Sequence, residues 1–195
     1  MAGAIIASES GSTPQEAISM SQDIHIRPAT AADATAIAAI YNPYVLDTTI
    51  SFEEQAVSTE DMAERIAKVQ QQGLPWLVVE LHGELLGYAY ATRWRVRHAY
   101  RYAVETSVYF APEARGQGLG SRLYRYLLQQ LRASGIHLAI GGIALPNDAS
   151  VALHEGLGFC RVAIFHEVGW KNGRWLDVGY WELKLNDGPP VLPSD

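Results

Sequence analysis

A mixed α/β fold, one sheet of parallel and antiparallel strands with helices on both faces, is predicted by three features of this chain. Segments of alternating apolar and polar residues interleave with segments of three- and four-residue apolar spacing. Short turns close several strand pairs into hairpins, so much of the sheet is antiparallel. One stretch, residues 104–131, runs from strand through a glycine-rich turn into an amphipathic helix without interruption, a connection that lays a helix against a sheet. At 195 residues a single domain is expected, large enough to bury a core. Its boundaries are set at 23–187. Residues 1–22 carry no Lys or Arg and read as a disordered extension, with Met20 as a second candidate start, and residues 188–195 read as a frayed tail.

The elements follow in order. Residues 24–27 form the first strand, closed by Pro28. Thr30 or Asp33 caps a helix with Ile37, Ile40, Tyr41, Tyr44 and Val45 on one face, and Pro43 inside that pattern is expected to end or kink it. Ser58 heads a second helix, with Glu60 and Asp61 in its first turn, Met62, Ile66 and Val69 inward, and Gly73 as its stop. Residues 76–81 and 85–95 pair as a hairpin about His82-Gly83-Glu84. In the next strand Thr106, Val108 and Phe110 alternate with Glu105, Ser107 and Tyr109, and Pro112, which lacks a ladder N–H, ends it. From Gly118 the inward stripe is Leu119, Leu123, Tyr126, Leu127 and Leu131, while Tyr124 is given no chemical role. Residues 137–143 form a further strand with a small pair at Gly141-Gly142. Asn147 then caps a short helix carrying Val151, Leu153 and Leu157, stopped by Gly158. Residues 159–168 and 175–185 make a last hairpin through Lys171-Asn172-Gly173.

Composition narrows the function. A net charge of −6 argues against non-specific nucleic-acid binding and against an anionic membrane surface. No apolar run approaches the roughly eighteen residues of a membrane span. A single cysteine cannot form an internal disulfide, which suits a reducing cytoplasm. Cys160, in an apolar setting after Gly158-Phe159, is read as a small core residue and not a nucleophile. No metal is expected.

The glycine-rich turn is Arg115-Gly116-Gln117-Gly118-Leu119-Gly120. Alternate glycines leave the backbone bare where a helix begins, and the free N–H groups and positive dipole end there suit phosphate oxygens. A plain strand-to-helix turn with no ligand is the competing explanation. The spacing is neither a Rossmann fingerprint nor a Walker A loop. Together with its flank, Val108-Tyr109-Phe110-x-Pro112-x-x-Arg115-Gly116-x-Gly118-x-Gly120 resembles the acetyl-CoA motif of the GNAT superfamily of N-acetyltransferases. The resemblance extends over residues 26–185. It is nearest the phosphinothricin and methionine sulfoximine/sulfone acetyltransferases, through pieces such as Pro75-Trp76-Leu77-Val78, Leu145-Pro146-Asn147-Asp148 and His154-Glu155-x-Leu157-Gly158-Phe159. It implies a GNAT-like fold and acetyl-CoA as co-substrate. Val108, Tyr109, Phe110 and Asn147 would then lie along the pantetheine arm, and Arg115, Gly116, Gln117, Gly118, Leu119, Gly120 and Ser121 at the diphosphate. A homodimer, with the final aromatic hairpin in its interface, is implied as well.

Acetyl transfer to an amine by direct attack needs a base, because an ammonium has no free electron pair. Glu105, in the position matching the family's Glu-x-x-Val-Tyr, is the candidate; the alternative is a solvated carboxylate paired with an arginine. The Val108 to Phe110 backbone suits polarisation of the thioester carbonyl. His154 stands where many superfamily members have the tyrosine that protonates the leaving thiolate. It is either that acid or a packing residue, and Asn147 is likewise either helix cap or ligand contact.

Residues 93–102 interleave Arg with Trp, Tyr and His. They can bind nucleic acid, form a charged loop, or recognise a small acidic amino acid through guanidinium–carboxylate bonds and aromatic walls. The resemblance favours the last. It implies substrate contacts at Phe52, Arg95, Val96, Arg97 and Tyr100, with Glu105, Thr106 and Ser107 beside them. The expected function is transfer of acetyl to the α-amine of phosphinothricin, methionine sulfoximine or methionine sulfone. A non-catalytic acyl-CoA-binding module and an acetyltransferase for another amine are the alternatives.

Overall fold

A computed structural model describes residues 24–114 and 117–188. The sequence expectations for residues 1–22, for most of the tail and for Arg115 and Gly116 lie outside the described residues. Among the described residues seven strands form one sheet in the order β1-β2-β3-β4-β5-β7-β6. They are β1 (Ile24–Pro28), β2 (Trp76–Leu81), β3 (Glu84–Arg93), β4 (Ala103–Phe110), β5 (Leu138–Ala144), β6 (Cys160–Lys171) and β7 (Arg174–Lys184). All neighbours are antiparallel except β4 and β5. The α-helices of the described residues flank the sheet: α1 (Ala34–Asp47), α2 (Thr59–Gln71), α3 (Leu119–Ala133) and α4 (Asp148–Gly156).

The hairpin turns follow from local backbone chemistry. His82 and Gly83 at one tip, and Asn172 and Gly173 at the other, all have positive φ, the pairing that matches strand twist in a two-residue turn. Ser58 caps α2 by accepting from the Asp61 N–H at 3.0 Å. α1 begins differently: a 3₁₀ turn at Ala31–Asp33 precedes it, where the Asp33 carboxylate accepts the Thr30 N–H and pairs with Arg27. The helix then runs through Pro43 to Asp47 and does not end there. Its last turn is closed in part by the Thr48 hydroxyl, which donates to the Tyr44 carbonyl at 2.7 Å.

Helices α1 and α2 cover one sheet face, where Tyr41 and Tyr44 meet Tyr109 edge-on. Helices α3 and α4 cover the other. Leu119, Leu123, Leu127 and Leu131 of α3 are all buried, as expected, but the stripe widens towards Leu128 and the fully buried Tyr124. That rotation turns Tyr126 outward, to 39 % exposure, correcting its place in the predicted inward face. Cys160 is a second correction, for it is exposed. Phe159, one residue earlier, takes the inward position, so the alternation of the edge strand sends Cys160 to solvent.

Lys171 ties the last hairpin to the first half of the chain. Its buried ammonium donates to the carbonyls of Val45 and Ser51, both at 2.6 Å. One carbonyl belongs to the end of α1 and the other to the loop that carries Phe52.

Candidate active site

The site begins where the sheet divides. β4 and β5 pair over only three positions, the last joining Glu105 to Ile140, although both strands continue beyond it. Past that point their facing edges diverge around a cavity of about 670 Å³, lined by Thr106 to Phe110, Gly142 to Ala144, Asn147, Ser150, Leu153 and His154 among others. Backbone of Val108 to Phe110 is thus freed from its β5 partner. Tyr44 donates to the Phe110 carbonyl at 2.6 Å, and the other groups on that edge remain for a ligand.

The strand period puts different chemistry on the two sides of the divide. Glu105 and Ser107 share a face with Thr92 and Tyr90, their register partners on β3. Thr106 points to the opposite face, so it does not join Glu105 and Ser107 in one substrate wall. The paired glycines of β5 make room on each side. A Cβ on Gly142 would lie 2.9 Å from Glu105 Oε1, and one on Gly141 would lie 2.5 Å from His154 Nε2.

Glu105 is half-buried in this setting. Burial pushes its carboxyl above the usual carboxylate range, and the charge of Arg95 works in the opposite direction. Tyr180 of β7 stands close enough for its phenol to be raised, chiefly by burial and then by the Glu105 charge.

Thr106, Tyr124 and His154 are buried together on the far side. Thr106 Oγ1 lies 2.5 Å from the Tyr124 hydroxyl and donates to the Ile140 carbonyl at 3.1 Å. The Tyr124 hydroxyl lies 3.0 Å from His154 Nε2, and Nδ1 donates to the Ser150 carbonyl at 2.8 Å. Burial lowers the pKa of His154, against the effect of that backbone hydrogen bond, and so favours the neutral ring. Both ring nitrogens are engaged. Tyr124 was missed in the sequence because only the assembled sheet brings α3 and α4 to the same threonine.

At the phosphate end, Gly118 has a φ of +70° and heads α3. Gly120 and Ser121 occupy the first turn, where backbone N–H groups have no intrahelical acceptor. Gln117 is exposed and donates to the Glu113 carbonyl at 2.8 Å, whereas Leu119 is a core residue. Asn147 caps α4 by accepting the Ser150 N–H at 3.1 Å and also lines the cavity, so capping does not remove it from the cleft. A cleft of this size, with a free strand edge on one wall and a helix N-terminus beside it, fits a pantetheine arm and its diphosphate.

The predicted acceptor residues are more scattered. The Phe52 ring packs over Gly169, whose missing side chain leaves it space. Arg95 stacks on Trp94 at 4.0 Å and, with Val96, lines a second cavity of about 640 Å³ floored by Trp76, Tyr88 and Tyr90. Arg97 and Tyr100 lie farther along the loop and are exposed. Arg95 alone of this loop is brought into electrostatic contact with Glu105.

Comparison with known proteins agrees with this geometry. The acetyltransferase (GNAT) domain family matches residues 26–179. The chain belongs to that family. It is 40% identical over 170 residues to the phosphinothricin N-acetyltransferase of Streptomyces viridochromogenes, covering 87% of this chain and 92% of that one. It is likewise 40% identical over 162 residues to the L-methionine sulfoximine/L-methionine sulfone acetyltransferase of Salmonella typhimurium, covering 83% and 95%. Among solved structures, a GNAT phosphinothricin acetyltransferase from Sinorhizobium meliloti in complex with AcCoA matches with a TM-score of 0.83 and 37% identity, covering 89% of this chain and 94% of that one. As a GNAT acetyltransferase the chain is an enzyme, and its divided sheet is the fold of its relatives. Among the described residues no helix is long and apolar enough to cross a membrane.

Proposed function

We propose that this acetyltransferase moves acetyl from acetyl-CoA to the α-amine of a small amino-acid analogue, by direct attack with Glu105 as general base. The observation that carries the proposal is Glu105 itself. Its carboxylate has a burial-raised pKa, stands where β4 and β5 part, and is flanked by Gly142, Tyr180 and Arg95. A raised pKa makes a carboxylate a better proton acceptor. The amine loses its proton there, and the β4 edge from Val108 to Phe110 holds the thioester.

Phosphinothricin, methionine sulfoximine and methionine sulfone are the acceptors favoured by the relatives' names. Arg95 supplies a cation beside the base for an acceptor carboxylate. Thiol release from acetyl-CoA across a panel of these three amino acids, with polyamines and a lysine peptide as contrasts, tests the assignment. Turnover is expected with at least one of the three amino acids; turnover with only a polyamine or the lysine peptide would overturn the acceptor assignment.

The β6–β7 face supports a homodimer. Val162, Phe165, Val168, Trp170 and Trp175 are each more than half exposed, an apolar surface that a second copy would cover. Sedimentation at micromolar concentration should give twice the chain mass, and a monomer there would dismiss it. The lone cysteine suits a reducing cytoplasm as the site of action.

A further inference from the structure

We infer that Thr106, Tyr124 and His154 form a relay for one proton, with Thr106 Oγ1 as its port at the cleft and Tyr124 as the positioning residue that couples port to ring. The inference rests on the acetyl-transfer reading above and adds Tyr124, which does not line the cleft, to the residues that determine turnover.

Hydrogen accounting leads to it. A backbone carbonyl only accepts, so the Ser150 carbonyl requires the hydrogen of neutral His154 to sit on Nδ1. Nε2 is then bare and must accept, so Tyr124 donates to it. The remaining hydrogen, on Thr106, faces two acceptors at once: the Tyr124 oxygen and the Ile140 carbonyl. Ser150 Oγ, 3.4 Å from Nδ1, can only share the hydrogen that Nδ1 already gives the carbonyl; apart from it, the neutral network has four contacts and three hydrogens to fill them. One added proton completes it. Nε2–H then donates to Tyr124, Tyr124 to Thr106, and Thr106 to the Ile140 carbonyl.

The entry point is settled by what is already occupied. Both nitrogens of His154 are bonded within the network, and Tyr124 is fully buried. Thr106 belongs to the cleft lining, at the first position past the last β4–β5 pair, and a hydroxyl oxygen has two acceptor sites. Gly141 allows the arrangement, since a side chain there would displace the imidazole.

Acetyl transfer needs such a device. An ammonium gives up two protons on becoming an amide; the first goes to Glu105 before attack. When the C–N bond has formed, the nitrogen still carries the second. Thr106 takes that proton at Oγ1 and passes its own to Tyr124, which passes its own to Nε2. As the C–S bond breaks and the sulfur leaves with the electron pair, the shifts reverse and Thr106 protonates the thiolate. His154 begins and ends neutral, and the proton count closes with one released through Glu105.

Tyr124→Phe keeps the ring and removes the coupling hydroxyl. With the acceptor found in the panel, kcat is expected to fall about 10- to 100-fold, within the range of a lost proton-transfer group. The KM for acetyl-CoA should stay within about twofold of wild type. Thr106→Val should match that loss, the double variant should add nothing to it, and Thr106→Ser should restore most of the turnover. The solvent proton inventory should bow in wild type and become linear in Tyr124→Phe. Wild-type kcat in Tyr124→Phe, or Thr106→Ser as impaired as Thr106→Val, would overturn the relay. Nitrogen-15 shifts of His154 in the free enzyme give an answer that needs no turnover. Hydrogen on Nδ1 and a bonded, bare Nε2 are expected in wild type, with the Nε2 shift moved by Thr106→Val but not by Thr106→Val in the Tyr124→Phe background. The opposite tautomer, or no response to Thr106→Val, rejects the relay whatever the acceptor is; absence of turnover with a normal His154 pattern rejects only the acetyl-transfer reading.

Discussion

The two sides of the divided sheet handle charge in opposite ways. On the Glu105 side a half-buried carboxylate faces an arginine from a surface loop, and both can be reached from solvent. On the His154 side three polar groups lie at 4 % exposure or less and saturate one another. Adjacent residues of one strand, Glu105 and Thr106, open onto these two environments, because strand side chains alternate. The first side is open to bulk water; the second is closed off from it. On the proposed mechanism this difference separates the initial deprotonation from later steps, and each side can be disturbed without the other.

The largest expected effect comes from removing the exchangeable side. Glu105→Gln should lower kcat by about 10²–10⁴-fold, with the fold and acetyl-CoA affinity retained, as read by stopped-time thiol release and calorimetry. Near-wild-type turnover across pH would assign the base elsewhere. The paired glycines sharpen the contrast. Gly142→Ala presses on the movable end of Glu105, so activity should fall by about 10- to 100-fold through misplacement of the base while thermal stability is nearly kept. Gly141→Ala meets a ring fixed on both nitrogens, so it should cost about 1–3 kcal/mol of stability, visible in denaturant unfolding. Equal stability losses in the two variants would show that the sides are not distinct. The smallest effect is a shift in pH dependence. On the proposed mechanism activity requires ionised Glu105 and is lost as pH falls through its raised pKa. Arg95 lowers that pKa, so Arg95→Ala should move the acid limb of kcat/KM to higher pH. A limb that stays in place, or moves down, would show that Arg95 does not act on the base.

Much of this was legible in the residues. Asn-Gly and His-Gly at hairpin tips, Ser58 before an acidic first turn, and the strand–glycine–helix stretch each carry a local physical cause, and the structure has them where they were expected. The failures share another cause. Cys160 and Tyr126 were placed inward by their neighbours' character, but which face of an element is buried depends on what packs there. Glu105 and Thr106, adjacent in sequence, stand on opposite faces, since a strand separates consecutive side chains. The Tyr124 network joins β4, α3 and α4 over separations of 18 and 30 residues, and no local pattern announces a contact of that kind.

Lys171 has a consequence for the order of assembly. The carbonyls it grips lie 126 and 120 residues earlier, so the loop bearing Phe52 has been waiting since early in synthesis for a peg that arrives almost last. Contacts so far apart along the chain are slow to find, because a long loop must be closed before they give any return. A chain ending before the final hairpin would thus hold both cleft strands, yet leave the Val45 and Ser51 carbonyls without the ammonium that fixes the Phe52 loop.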